Sequence, residues 1–499
     1  MNRRSREPVL AARRAGVLLH PTALPGSAGK LGEPARRFID FLQAAGMTVW
    51  QTLPLGPTHP DRSPYQTLSA HAGNPAFIDL EELLPYDLLT AEEIASQPRP
   101  SLFARAWQRF LAGEYRADTT VNADNWGQFV TRHHAWLDDF ALFMAIREDA
   151  PDLCWTDWPE TLRTREPEAL ASLKAREQDK IGRIQFVQFL FHCQWTRLRQ
   201  YGLERGVHMF GDIPIFVAHD SADVWANPGL FKLDESGRPA FVAGVPPDYF
   251  SPDGQHWGNP VYDWQAMASD DYRWWLDRLA SQREAFDLLR IDHFRGFQQY
   301  WEIPAEDPRP VNGYWADGPG DALLSACLAK LPDLPLVAEN LGLISDDVEQ
   351  LRQRFGLPGM RVLQFGFDGS PANPHLLHNH SPEDLVYTGT HDNDTTMGWY
   401  LSLDPSTRDY VHRYFGLETA GNPDMPWTMI RAALGSVARL AILPMQDLLG
   451  LGTEARFNTP GTMQNNWLWQ LDQDALNNLD SGRIRELVQL YGRCLNFTQ

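Results

Sequence analysis

Cationic charge, cysteine and long apolar runs are all in short supply along this chain, and each shortage removes a class of function. Against 64 aspartates and glutamates stand 44 lysines and arginines, a formal net charge of −20. Such a surface repels a phosphate backbone and an anionic membrane alike, so neither a nucleic acid nor a membrane is expected as partner. No stretch approaches the roughly 18 consecutive apolar residues of a membrane-spanning helix. The opening residues, MNRRSREPVLAARRAG, are basic but hold no apolar segment long enough for a secretion signal, and residues 1–15 read as a flexible basic tail. Cys154, Cys193, Cys327 and Cys494 are too widely spaced for a metal-binding pair or a disulfide framework, which points to a reducing cytoplasm. Cofactor signals are missing as well. There is no glycine-rich phosphate loop. The one histidine-rich stretch, HLLHNH at 375–380, has the spacing of a solvated loop rather than a zinc site. Neither a metal nor a cofactor is expected.

Aromatic residues, by contrast, are plentiful. Among 18 tryptophans, Trp225, Trp257, Trp301, Trp315, Trp399 and Trp467 sit near glycine, proline, aspartate or asparagine instead of inside periodic apolar runs. Flat rings at loop positions suit the apolar C–H face of a sugar; the same rings also fill large cores and subunit interfaces.

Eight short apolar segments read as strands: 16–20, 48–55, 208–217, 287–294, 335–342, 360–367, 384–392 and 439–449. Most lack strict alternation, as parallel strands covered on both faces do. Helical patterns such as 33–47, 186–206 and 270–286 lie between them. Strand–helix alternation repeated eight times predicts an α/β fold, a (β/α)8 TIM barrel occupying 16–499 as one catalytic domain. Two insertions interrupt it: a mainly helical one at about 76–185, and an irregular, turn-rich and aromatic lid subdomain at about 218–262 over the C-terminal face. After the eighth strand too little chain remains for a C-terminal β-sandwich.

Charged residues then occupy places where a barrel should hide hydrocarbon. In DLLRIDHFRGF (287–297), Arg290 and Asp292 are two apart and share a strand face, and an arginine there offsets the cost of the carboxylate and holds it ionised. Glu339 ends the fifth strand, Asp392 ends the seventh with His391 beside it, and Asp212 lies in the third. One such residue alone would read as an ion pair or a helix cap. Three carboxylates converging from strands four, five and seven on the mouth where barrel enzymes work read as an active site. Carboxylates with stacking rings suit glycosidic bonds, one attacking or stabilising the anomeric carbon and another protonating the leaving oxygen. His293 alternates away from Asp292 and reads as structural.

LLRIDHFRGF, VAENLG and YTGTHDNDT, with GDIPIFV upstream, have the order and spacing of the four signature regions of the α-amylase clan. LLHPTALPG, WQTLPLGPT with SPYQ and SAHAGNP, GVPPDYFSPDGQHWGNPVYDW and NTPGTMQNNWLW narrow the resemblance. From about residue 16 to about 490 the chain resembles the 4-α-glucanotransferases called amylomaltases or disproportionating enzymes, glycoside hydrolase family 77. The resemblance implies transfer of α-1,4-glucan segments, by a retaining double displacement, from maltodextrins, amylose or starch or glycogen fragments to another glucan or glucose, in a protein expected to be monomeric. It implies Asp292 as nucleophile, Glu339 as general acid/base and Asp392 as the carboxylate gripping the −1 sugar. Arg290 is implied to orient the nucleophile, His391 to donate to the −1 sugar, and Asp212 to lie near the same subsite. Tyr65, Asp248, Gln255 and Trp257 match acceptor-side and lid positions. The chain departs from the pattern at Asn465 and Gln470, and the 58–62 stretch lacks a tyrosine common among relatives; these bear on acceptor length and product size. Two other functions compete: a hydrolytic α-amylase-type glycosidase, and a catalytically silent maltodextrin-binding protein. The missing β-sandwich and the 244–264 loop disfavour the first, and the intact charged set disfavours the second.

Overall fold

Residues 9–26, 30–247, 253–418 and 423–494 are described by a computed structural model. Each of the eight apolar segments holds a strand. In chain order the strands are β1 (Arg14–Leu18), β2 (Val49–Gln51), β3 (His208–Ile213), β4 (Phe241–Val245), β5 (Gln255–Pro260) and β6 (Leu288–Ile291). They continue with β7 (Gln299–Pro304), β8 (Tyr314–Asp317), β9 (Leu336–Ala338), β10 (Met360–Val362), β11 (Leu385–Tyr387) and β12 (Leu440–Pro444). Eight of them form one parallel sheet in the order β10-β11-β12-β1-β2-β3-β6-β9, with helices outside, a (β/α)8 barrel. Every residue of β1, β2, β6, β9, β11 and β12 is buried, which is why these segments carry apolar side chains without alternation.

The sheet ends, β9 and β10, share no ladder. The seam is closed by the Ala338 N–H donating to the Pro358 carbonyl at 2.9 Å, and by the Met360 N–H donating to the side-chain oxygen of Asn340 at 2.8 Å.

Between β2 and β3 lie helices Ala91–Ser96, Arg99–Ala112, Ala123–Asp149, Pro167–Arg176 and Gln178–Glu204. Thr90 and Glu93 start the first of these by a reciprocal capping box. Leu102, Phe103, Trp107, Phe110, Phe129, Phe186 and Phe189 give this region its own apolar cluster. The 27-residue helix Gln178–Glu204, about 40 Å long, leaves that cluster and continues as the barrel helix preceding β3.

The stretch expected to be irregular is more regular than its composition suggests. β4 and β5 pair antiparallel, and β4 pairs in turn with β7, which pairs with β8. Half of this four-stranded sheet therefore comes from the loop after β6. The chain also enters the fold earlier than its basic start implies. Val9 is buried, and Arg14 lies inside β1 with its Nε donating to the Val9 carbonyl at 2.7 Å, so residues 9–15 are not a tail. Among the described residues after β12 there are helices and no strand, and no described helix is long and apolar enough to cross a membrane.

Candidate active site

β3 and β6 run side by side with Asp212 opposite Arg290 in register. Gly211 makes this possible from behind, because a Cβ there would meet the Phe286 ring at 2.5 Å. The Arg290 guanidinium, 4% exposed, forks: Nη1 donates to Asp212 Oδ2 at 2.6 Å, and Nη2 lies 2.8 Å from Asp292 Oδ1. Burial works against its charge, but Asp212 and Asp292 more than offset this, so it stays a cation.

Asp292 follows the last residue of β6, and its N–H extends the ladder to the Ile213 carbonyl at 2.9 Å. The strand alternation assumed for His293 ends there. His293 has a left-handed backbone, φ 50°, and its N–H turns inward to donate to Glu339 Oε2 at 2.7 Å. Its ring meets Trp257 edge-on at 4.9 Å, and burial pushes its pKa down to about 3. Glu339, just past β9, accepts a second bond from the Leu341 N–H at 3.0 Å.

Tyr65, in the loop after β2, joins these groups to the seventh barrel strand. Its hydroxyl donates to Asp212 Oδ2 at 2.7 Å and lies 2.8 Å from His391 Nε2. Burial lowers the pKa of His391, and because the tyrosine proton goes to Asp212, Nε2–H is assigned as the donor to the tyrosine oxygen. Asp392 Oδ2 sits 3.4 Å from the same nitrogen. The sequence put Tyr65 with acceptor-side and lid positions; the structure places its hydroxyl inside the charged cluster.

Electrostatics correct one expectation. Burial pushes the Asp292 carboxyl well above the usual range; Arg290 opposes this, but Asp212, Glu339 and Asp392 add to it. Burial also raises Glu339, against the pull of Arg290 and of its two backbone donors. One guanidinium does not offset burial and this many acids, so both carboxyls are shifted toward the protonated form despite Arg290.

Other expected residues are placed as follows. The Trp257 indole N–H donates to Gln255 Oε1 at 3.0 Å, and Gln66, next to Tyr65, donates to the Trp257 carbonyl at 3.3 Å. Asp248 lies outside the described residues. Asn465 is exposed with φ 63°, and the exposed Gln470 reaches the Thr22 carbonyl at 3.5 Å. Of the six loop tryptophans, Trp257 and Trp467 reach the site. Trp225 is fully buried, Trp301 and Trp315 pack across β7 and β8 at 5.1 Å, and Trp399 packs on Phe367. His375, His378 and His380 are tied to Val362, Tyr414 and Ser436, respectively. No group of three or more His, Cys, Asp or Glu among the described residues is arranged to hold a metal.

The sequence reading missed Arg456 and Asn458, and gave Trp467 only as one of six loop tryptophans. Asn458 Nδ2 donates to Asp392 Oδ1 at 2.6 Å, Arg456 Nη2 donates to the Asp392 carbonyl at 2.8 Å, and the Trp467 ring lies 6.1 Å from those of Tyr65 and His391. The signal for Asn458 was the NTPGTMQNNWLW segment, which carried the resemblance but drew attention to Asn465 and Gln470 instead. Asp447, after β12, braces the loop bearing His391 and Asp392. It accepts from Thr388 Oγ1 at 2.5 Å and from the Thr396 N–H and Oγ1 at 2.7 Å each.

Residues 19–475 match the family described as 4-alpha-glucanotransferase. The chain belongs to that family. The 4-alpha-glucanotransferase of Thermus thermophilus is 44% identical over 488 residues, covering 95% of this chain and 98% of that one. The chloroplastic/amyloplastic 4-alpha-glucanotransferase of Arabidopsis thaliana is 42% identical over 508 residues, covering 96% and 86%. An amylomaltase from Streptococcus agalactiae, solved in complex with acarbose, superposes with a TM-score of 0.90 at 34% identity, covering 97% and 100%. Membership makes the chain an enzyme of glucan transfer and makes glucans its substrates.

Proposed function

We propose that the enzyme moves α-1,4-glucan segments by retaining double displacement, with Asp292 as nucleophile, Glu339 as general acid and base, and Asp392 holding the −1 sugar. An Asp292 oxygen attacks C1 of the −1 sugar as the glycosidic bond to O4 breaks. Glu339 gives its proton to that leaving oxygen. The 4-hydroxyl of an acceptor glucan or glucose then attacks C1, Glu339 takes its proton, and Asp292 departs as a carboxylate. The observation that carries this reading is the Arg290 fork, which ties Asp292 to Asp212 at the barrel mouth while Glu339 follows the neighbouring strand. The raised pKa of Glu339 suits it too, because a general acid must hold its proton until it gives it to the glycosidic oxygen, while Arg290 lies against Asp292 to stabilise its ionised form.

Tyr65, Asp212 and His391 form the wall of the −1 subsite in this reading. On the same reading, Gln255 and Trp257 serve the acceptor side, where an aromatic cover keeps water from the intermediate. We place the chain in the cytoplasm as well; Cys154, Cys193 and Cys327 are free thiols, as a reducing compartment keeps them.

Maltotriose tests the reaction. Transfer yields glucose together with longer maltodextrins, whereas glucose and maltose alone would mean hydrolysis. Asp292→Asn is expected to abolish turnover while oligosaccharide binding stays measurable by calorimetry; retained turnover would remove Asp292 as nucleophile.

A further inference from the structure

Asp392 is the least sheltered of the carboxylates whose side-chain exposure can be compared here: 42%, against 26% for Asp292 and 0% for Asp212. It lies in the loop beyond β11, so no strand ladder orients it. On the Oδ2 side its neighbour is His391 Nε2 at 3.4 Å, whose proton already goes to Tyr65. On the Oδ1 side it accepts the 2.6 Å bond from Asn458 Nδ2. That bond is short and charge-assisted, and it sets the carboxylate's rotation.

Asn458 is itself held firmly. Arg456 Nε donates to the Asn458 carbonyl at 2.8 Å while Nη2 of the same guanidinium donates to the Asp392 carbonyl at 2.8 Å, so one planar group straps the two main chains together. Across the loop, the Trp467 N–H donates to the Phe457 carbonyl at 2.7 Å, and the Thr459 N–H to Asn466 Oδ1 at 2.9 Å. Trp467 has φ 65°, a left-handed backbone that a bulky residue adopts only under constraint. The constraint is visible: its indole packs on Phe457 at 5.5 Å, and beside Tyr65 and His391. The 456–467 loop thus touches the charged cluster twice, through Asn458 on Asp392 and through Trp467 on His391.

We propose that Asn458 is a positioning residue for the transfer reaction, and that the strained 456–467 loop exists to present it. It fixes the Asp392 carboxylate before the glucan arrives, leaving the Oδ2 edge turned to the sugar hydroxyls. An exposed carboxylate has two side-chain torsions to order, and ordering them in advance removes that cost from the transition state. This rests on the reading of Asp392 as the −1 carboxylate.

The test is a double-substitution cycle with Asn458→Ala and Asp392→Ala, using an α-maltotriosyl fluoride donor so that small rates remain measurable. Asn458→Ala is expected to lower kcat about 10–100-fold, with the unfolding temperature and the KM for acceptor glucose unchanged. In the Asp392→Ala background the same substitution is expected to change nothing further. An equal loss in both backgrounds, or no loss in the single variant, would overturn the proposal. The isosteric Asn458→Asp keeps the shape and replaces the donor by a like charge; it is expected to fall at least as far, and wild-type kcat there would also overturn it. Wild-type kcat for Asp392→Ala would instead remove the reading of Asp392 on which the proposal stands.

Discussion

Arg290 and Asp292 were legible as a pair because two residues of opposite charge, two positions apart in an apolar run, have no cheaper explanation than a shared face. The proton balance was not legible, since it depends on Asp212, Glu339 and Asp392 arriving from three other parts of the chain. Its consequence is a stability that varies with pH. The folded-state pKa of Asp292 lies above its ordinary value, so its contribution is fully favourable below the ordinary aspartate range and is lost as pH rises through the raised value. Asp292→Asn is therefore expected to unfold at a higher temperature than the wild type at pH 7, with the two curves converging at about pH 3–4. Calorimetric scans across that range check this, and a variant less stable at pH 7 would contradict it. The reach of Tyr65 was illegible for a related reason. Its position in SPYQ gives no hint that its hydroxyl reaches over to Asp212 and His391.

Elements were read best where the signal is local. All eight barrel strands announced themselves as buried apolar runs, but the runs overshoot: β3 ends at Ile213 and β11 at Tyr387, and the rest of the latter segment is the loop that carries His391 and Asp392. The sheet of β4, β5, β7 and β8 was illegible because β4 pairs across some 60 residues with a segment to which the sequence reading assigned no strand. Asp447 belongs at this scale, since it fastens the loop after β11 to the end of β12. Asp447→Ala leaves the Thr396 N–H without an acceptor in a buried place. It is expected to lower stability by about 2–3 kcal/mol in urea unfolding and to lower kcat with it, because His391 and Asp392 sit on the freed loop. Unchanged stability would mean that the two threonines hold the loop without it.

For the molecule as a whole, one side chain ties together the chain entering β1 and β12 at the lower end of the barrel. Arg493 is fully buried and donates to the carbonyls of Arg14, Leu434, Ser436 and Ala438 at 2.7–2.9 Å. These lie at or just before the starts of β1 and β12, on the face opposite the active site. Arg493→Met is expected to cost about 3 kcal/mol or more of stability, because several buried carbonyls lose their donor. Its kcat at low temperature should match the wild type, and a stability equal to the wild type would mean that other donors replace it. The upper end is organised differently, around the seam between β9 and β10. There the ring of strands hangs together by the Ala338–Pro358 bond and one asparagine, and that asparagine directly follows Glu339. Glu339, the residue proposed to give and recover a proton in every turnover, thus adjoins the one seam of the ring that no strand ladder stitches.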